Sequence, residues 1–244
     1  MSERIILTDL DEQMQEAVAD TRQRVAELHA ELPRWGLVVW TAGNVSERVV
    51  VDRGDGPVKT DLFVIKPSGV SYDELTADTM VVCTLDGEKI DDGTPASLTP
   101  SSDTAAHAYV YRHRGDVGGV VHTHSPYATA WAARREPIPC ALTMMGDEFG
   151  GDIPIGPFAL IGDDSIGRGI VETLEGSRSP AVLMANHGPF TVGKDARDAV
   201  KAAVMCEEVA RTMSIAEQLG EVKPIPADMV DRLNDRYQHV YGQH

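Results

Sequence analysis

The strongest constraint on the fold of this chain is the interleaving of short apolar, β-rich runs with amphipathic stretches of helical period. Residues 37–41, 62–66, 80–84, 120–124 and 182–185 are rich in the side chains that suit a pleated, half-buried surface. Between them, residues 11–32 carry Met14, Val18, Val25 and Leu28 near helical spacing, with Pro33 and Gly36 placed to close the helix. Further helices are expected over about 102–113, 126–135, 195–219 and 227–238. The longest puts Ala199, Ala203, Cys206, Ala210 and Met213 on one face. Tight turns at 53–57 and at Asp86-Gly87 separate neighbouring strands with no helix between, so the pattern is not a pure βαβ repeat. It predicts an α/β fold of three layers, α/β/α, around a mixed sheet. No internal repeat, low-complexity tract or linker interrupts residues 1–244, which read as a single domain.

Composition limits the partners. With 42% apolar residues the chain can bury a substantial core without disulfides. A net charge of −16 repels phosphate backbones, and the one short basic run, Tyr111-Arg112-His113-Arg114, is too small to overcome it; no nucleic-acid partner is expected. No stretch of about 18 uninterrupted apolar residues suggests a membrane span. The acidic stretch 1–20 lacks the layout of a signal peptide, and Cys83, Cys140 and Cys206 are odd in number and far apart. Both features point to the cytoplasm.

The chemistry concentrates at histidines. Side chains at i and i+2 of a strand share a face, so His122 and His124 are placed to grip one divalent ion, with His187, ahead of the turn Gly188-Pro189, as a third ligand. Alternation alone also describes a polar strand face. His113, His239 and His244 look like surface residues, and His29 and His107 fall within expected helices. His107 is the rival ligand, one turn after Asp103. Asp103 itself either caps the helix that starts near Ser102 or turns its carboxylate to the ion. Two turns, 41–46 and 66–69, pair glycine with polar neighbours and expose backbone N–H groups suited to an anion. Gly43, Asn44, Lys66, Ser68 and Gly69, with Ser101 and Ser102, supply the donors a phosphate needs.

Five blocks, Gly43-Asn44-Val45-Ser46, Lys66-Pro67-Ser68-Gly69, Pro100-Ser101-Ser102-Asp103, His122-Thr123-His124 and Asn186-His187-Gly188-Pro189-Phe190, stand in the order of the class II aldolase/epimerase superfamily. The chain resembles that superfamily over roughly residues 10–243, which implies a class II aldolase-like fold with a largely antiparallel central sheet. It resembles most the branch of L-ribulose-5-phosphate 4-epimerases, which interconvert L-ribulose 5-phosphate and D-xylulose 5-phosphate by retro-aldol cleavage and re-addition. Three residues carry that finer likeness: Asp103 where the aldolases place Glu, Asp147 at the epimerases' catalytic aspartate, and Tyr241 before Gly242-Gln243 at their catalytic tyrosine.

The resemblance implies a divalent metal, zinc first with manganese or cobalt as alternatives, held by Asp103, His122, His124 and His187. It also implies a phosphorylated ketopentose as substrate, and a homotetramer whose neighbouring subunit supplies Asp147 and Tyr241. Read without it, Asp147 is a loop carboxylate and Tyr241 part of a chain end. The alternatives are a fuculose-1-phosphate-type aldolase and a non-catalytic adducin-like scaffold. Three departures stand beside the match: no His precedes Asp147, the loop 53–60 is longer than usual, and the chain is shorter around 161–165.

Overall fold

A computed structural model describes residues 5–240. The first helix, α1 (Glu12–Arg34), opens on Asp11, whose carboxylate accepts from Met14 N–H at 2.9 Å. It buries Val18, Val25 and Leu32. The helix runs one residue past Pro33 and then closes: Gly36, at φ +69°, and Leu37 donate back to the carbonyls of Pro33 and Leu32. That closure corrects the expected strand at 37–41. Leu37 N–H is already spent on the helix end, Trp40 sits at φ +59°, and Gly43 at φ +79° turns the chain, so pairing begins only at residue 44.

Strand β1 (Asn44–Asp52) then forms a hairpin with β2 (Pro57–Ile65), which is longer than expected at its start. The rest of the chain runs β3 (Val81–Thr84), α2 (Thr104–His113), β4 (Gly119–His122), α3 (Pro126–Arg134), α4 (Thr143–Phe149), β5 (Ile155–Gly156), α5 (Ser165–Leu174), β6 (Ala181–Met184), β7 (Gly188–Gly193), α6 (Ala196–Leu219) and α7 (Ala227–His239). Among the described residues the strands form one sheet in the order β3-β2-β1-β4-β7-β6-β5, and only the β5–β6 pair is parallel. A mixed, largely antiparallel sheet is what the resemblance implied.

Alternate strand residues feed opposite layers. Phe63, Ile65, Val120, Val182 and Met184 pack with α2 and α5. On the other face, Leu62 and Val64 meet α1, Val45 and Val121 sit between α1 and α6, and Ala181 and Leu183 pack with α3, α4, α6 and α7. Strands apolar on both faces read as continuous runs, which is why 62–65, 80–83 and 182–184 were legible in the sequence. The three cysteines are buried and unpaired. Among the described residues no helix is long and apolar enough to cross a membrane.

Candidate active site

The three imidazoles meet where β4 ends. His122 is the last residue of β4 and His124 lies beyond the strand, although Thr123 N–H still donates across to Pro189 O at 3.2 Å, and the two rings stand side by side as strand alternation predicts. Phe190 of β7, opposite His122 in the ladder, stacks on its ring at 4.1 Å and 13°. The Pro189 carbonyl lies 3.1 Å from His122 Nδ1. A carbonyl can only accept, so Nδ1 carries the hydrogen and the Nε2 lone pair faces His124. His187 is brought in from the β6–β7 turn by Asn186 at φ +57°, a conformation Asn tolerates, whose side chain accepts from Arg135 at 2.6 Å.

The ligand nitrogens of His122, His124 and His187 all lie within 4.8 Å of one another, and His122 Nε2 is 3.0 Å from His124 Nε2. Two nitrogens about 2.0–2.1 Å from a tetrahedral ion stand roughly 3.3 Å apart, so the triad is pre-shaped for a divalent cation. Burial pushes His122 down to about 3 and lowers His124 and His187, so the rings present neutral nitrogens. This is the protonation state that a metal requires.

Asp103 stands at the N-cap of α2, but its side chain makes no capping bond. Instead Oδ2 accepts from Asn44 Nδ2 at 2.8 Å, while Oδ1 is buried and without a partner. Burial works to raise this carboxyl, yet His122, His107, the Asn44 bond and His187 hold it below its ordinary value. An ionised carboxylate with an unused oxygen beside three neutral imidazoles fits a cation. His107, the rival ligand, falls outside the cluster of His122, His124 and His187: its Nδ1 bonds Ser46 Oγ at 2.7 Å, Ser46 in turn bonds Tyr111, and its Nε2 is buried without a partner.

The anion turns flank the same spot. Asn44, Lys66, Ser68, Gly69, Ser101 and Ser102 line a cavity of about 190 Å³. Gly43, Asp103, His124 and His187 line it as well, with His122 1% exposed behind them. The turns are tied together by backbone bonds, Ser68 N–H to Thr99 O at 2.8 Å and Ser101 N–H to Lys66 O at 3.1 Å. Gly43 is required twice over: φ is +79°, and a Cβ would stand 2.7 Å from Val38 Cγ1 and 2.9 Å from the His122 carbonyl. The Lys66 ammonium donates to the Thr41 and Pro67 carbonyls, and burial lowers its pKa to about 8.

Thr41 and Ala42, part of the expected 41–46 turn, also line the cavity, as does Ile161, which sequence reasoning did not select. Nothing local marks Ile161.

Asp147 does not join this group within the chain. It lies on α4, where an irregular loop was expected, and Asn234 of α7 donates to its carbonyl at 3.0 Å. Its carboxylate stands 3.9 Å from Arg236 Nη2. It is absent from the cavity lining. Tyr241 lies outside the described residues.

Comparison with known proteins places the chain in a family. The family model of the Class II Aldolase and Adducin N-terminal domain matches residues 23–214. The L-ribulose-5-phosphate 4-epimerases UlaF of Salmonella paratyphi C and Salmonella choleraesuis are each 44% identical to the chain, covering 82% of it and 86% of their own length. Among solved structures, an L-fuculose 1-phosphate aldolase superposes with TM-score 0.79 at 26% identity, covering 90% of this chain and 96% of the aldolase. YgbL from Klebsiella pneumoniae superposes with TM-score 0.72 at 29% identity, covering 89% and 99%. With its histidine triad able to hold a divalent metal beside an anion cavity, the chain belongs to the class II aldolase and adducin family.

Proposed function

We propose that this protein is an L-ribulose-5-phosphate 4-epimerase, interconverting L-ribulose 5-phosphate and D-xylulose 5-phosphate. The observation that carries the reading is the union of a three-imidazole cluster and a phosphate-sized donor set in one cavity of about 190 Å³. The 44% identity to the UlaF epimerases supports the choice of substrate. The C4 hydrogen of the ketose is not acidic, so inversion there proceeds by breaking the C3–C4 bond. The C4 hydroxyl loses its proton, C4 becomes an aldehyde, and the electron pair passes to the three-carbon fragment. The aldehyde turns, C3 attacks its other face, and the new C4 oxygen regains a proton.

Zinc is the ion we assign to His122, His124 and His187, with Asp103 as a fourth ligand; when bound it supplies Lewis acidity at the substrate's C2 and C3 oxygens. Asn44, Ser68, Gly69, Ser101 and Ser102 hold the phosphate through the rotation, so the aldehyde turns without leaving, and Lys66 adds a charge. Inversion needs proton transfer on opposite faces of C4, which two groups perform, Asp147 and Tyr241. Asp147 is outside the cavity of its own chain, in keeping with a homotetramer in which a neighbouring subunit delivers both. We read residues 1–244 as a single catalytic domain acting in the cytoplasm, where three free thiols are at home.

The test offers L-ribulose 5-phosphate and L-fuculose 1-phosphate side by side to the wild type, to Asp147→Asn and to chelator-treated protein. Turnover of the pentose phosphate is expected, lost by at least about 100-fold in Asp147→Asn and abolished by metal removal. Faster cleavage of the fuculose phosphate, the second reading favoured by the 0.79 TM-score, would replace epimerase with aldolase. Wild-type rates after verified metal loss would sink both.

A further inference from the structure

Next to Asn44, which lines the anion cavity, one sheet hydrogen bond is made by a side chain instead of a strand. Arg48 N–H donates to Gly118 O at 2.8 Å and so faces β4. Successive residues of a central antiparallel strand face opposite neighbours, which turns Val45 N–H, three positions earlier, toward β2. Pairing with β2, however, stops at Ser46 and Ile65. The next carbonyl along, that of Lys66, accepts instead from Ser101 N–H at 3.1 Å. Val45 N–H finds His29 of α1, donating to its Nε2 at 2.9 Å.

The imidazole is built for this acceptor role. His29 is 1% exposed, and its Nδ1 donates to Val25 O at 2.6 Å within α1. That bond fixes the tautomer, leaving Nε2 as the acceptor. Burial lowers the ring's pKa to about 3, so it remains neutral at physiological pH. The cavity is lined from both strand ends: Gly43 and Asn44 precede Val45, and Lys66, Ser68 and Gly69 follow Ile65.

We propose that His29 is a positioning residue for phosphate: by satisfying Val45 N–H it lets the Lys66 carbonyl hold Ser101, and so sets the spacing of the two donor turns. It acts through the backbone and touches no substrate. A side chain without an acceptor leaves a buried N–H whose next acceptor along β2 is the Lys66 carbonyl, and closing that bond shifts Lys66 relative to Ser101 and narrows the gap between the turns. The inference rests on the reading of the cavity as a phosphate site, and its test measures binding directly.

Inorganic phosphate is titrated calorimetrically into the zinc-loaded wild type, His29→Leu and His29→Gln, with metal content and steady-state kinetics recorded for each. His29→Leu is expected to weaken phosphate about tenfold, the scale of one lost buried hydrogen bond, and to raise KM in parallel with kcat and metal content unchanged. His29→Gln, whose Oε1 can accept from Val45, is expected to stay within about twofold of wild type. Should the leucine variant fail to fold, His29→Ala carries the same expectation. Wild-type affinity in the leucine and alanine variants overturns the inference, as does equal weakening in the glutamine variant, or loss of zinc together with phosphate. A wild type that ignores phosphate overturns the phosphate reading and this inference with it. The expected split in binding without epimerase turnover supports the inference and removes only the assigned reaction.

Discussion

Replacing Asp103 with Asn separates a carboxylate that serves the helix from one that serves an ion. The side chain is 6% exposed, gives α2 no capping bond, and accepts a 2.8 Å hydrogen bond from Asn44. An asparagine of the same shape can accept that bond through its amide oxygen, so the loss is the difference between a charge-assisted and a neutral bond, about 1 kcal/mol. Losing negative charge at a helix N-terminus costs about 0.3–1 kcal/mol more. Both losses are offset by removing a charge buried without a cation. The metal-free variant is therefore expected to melt within about 4 °C of wild type, at about 2–4 °C per kcal/mol for a chain of this length.

With metal the balance changes. Removing a carboxylate that contacts or orients the ion weakens affinity about 10–100-fold. In excess metal this is a loss of about 1.4–2.7 kcal/mol of ligand-derived stability, which shrinks the zinc-induced rise in Tm by about 3–11 °C. Calorimetric melting of both proteins, with and without zinc, reads the two quantities separately, and competition with a chromogenic chelator gives the affinities. An equal zinc-induced rise in both proteins refutes the argument. So does a metal-free variant that melts more than about 10 °C below wild type, since that would make Asp103 a structural carboxylate.

Two further outcomes follow from the anion turns. Phosphate prefers a protonated Lys66, whose pKa burial holds at about 8, so KM for the phosphorylated ketose is expected to climb as pH rises through that value. Lys66→Arg should flatten the climb, and a pH-independent wild-type KM between about pH 7 and 9.5 would refute it. Because the folded-state pKa lies below the ordinary lysine value, the ammonium is carried at a cost below about pH 8, and the fold gains stability as pH rises from there toward 10.5. Lys66→Met is thus expected to raise Tm at neutral pH while weakening substrate binding. Gly43→Ala combines positive φ with contacts of 2.7 and 2.9 Å, one of them to backbone. A loss of about 2–4 kcal/mol is expected from thermal melting, and a change under about 0.5 kcal/mol would show that the turn relaxes freely.

The sequence by itself determined the parts whose signal is local. Runs such as Val81-Val82-Cys83 and Val182-Leu183-Met184 announce strands buried on both faces, and the spacing of Ala199, Ala203, Cys206 and Ala210 announces α6. Composition at the turns marked Gly43, Asn44, Lys66, Ser68 and Gly69, and residue chemistry marked the three histidines. Elements without a clean period were missed. Strand β1 is interrupted by Ser46, Glu47 and Arg48, whose polar groups are satisfied by partners in α1, α2, α6 and β2. Helix α5 carries two poor helix formers, Gly167 and Gly169; the first is needed because a Cβ there would stand 2.5 Å from the Ala106 carbonyl.

Tertiary structure alone decided what the ambiguous side chains do. Asp103 has the local setting of a helix cap and His107 that of a ligand. Asn44, 59 positions away, bonds one oxygen of Asp103, and Ser46, 61 positions away, bonds Nδ1 of His107. His29 looks like an ordinary helical residue until β1 is laid against α1 and one N–H is left without a strand partner. Local propensity is set by neighbours within a few residues, whereas a buried hydrogen bond goes to whichever group the sheet order brings within about 3 Å. The positions of the metal-facing and phosphate-facing groups are therefore a consequence of β1 lying between β2 and β4, which no single segment encodes.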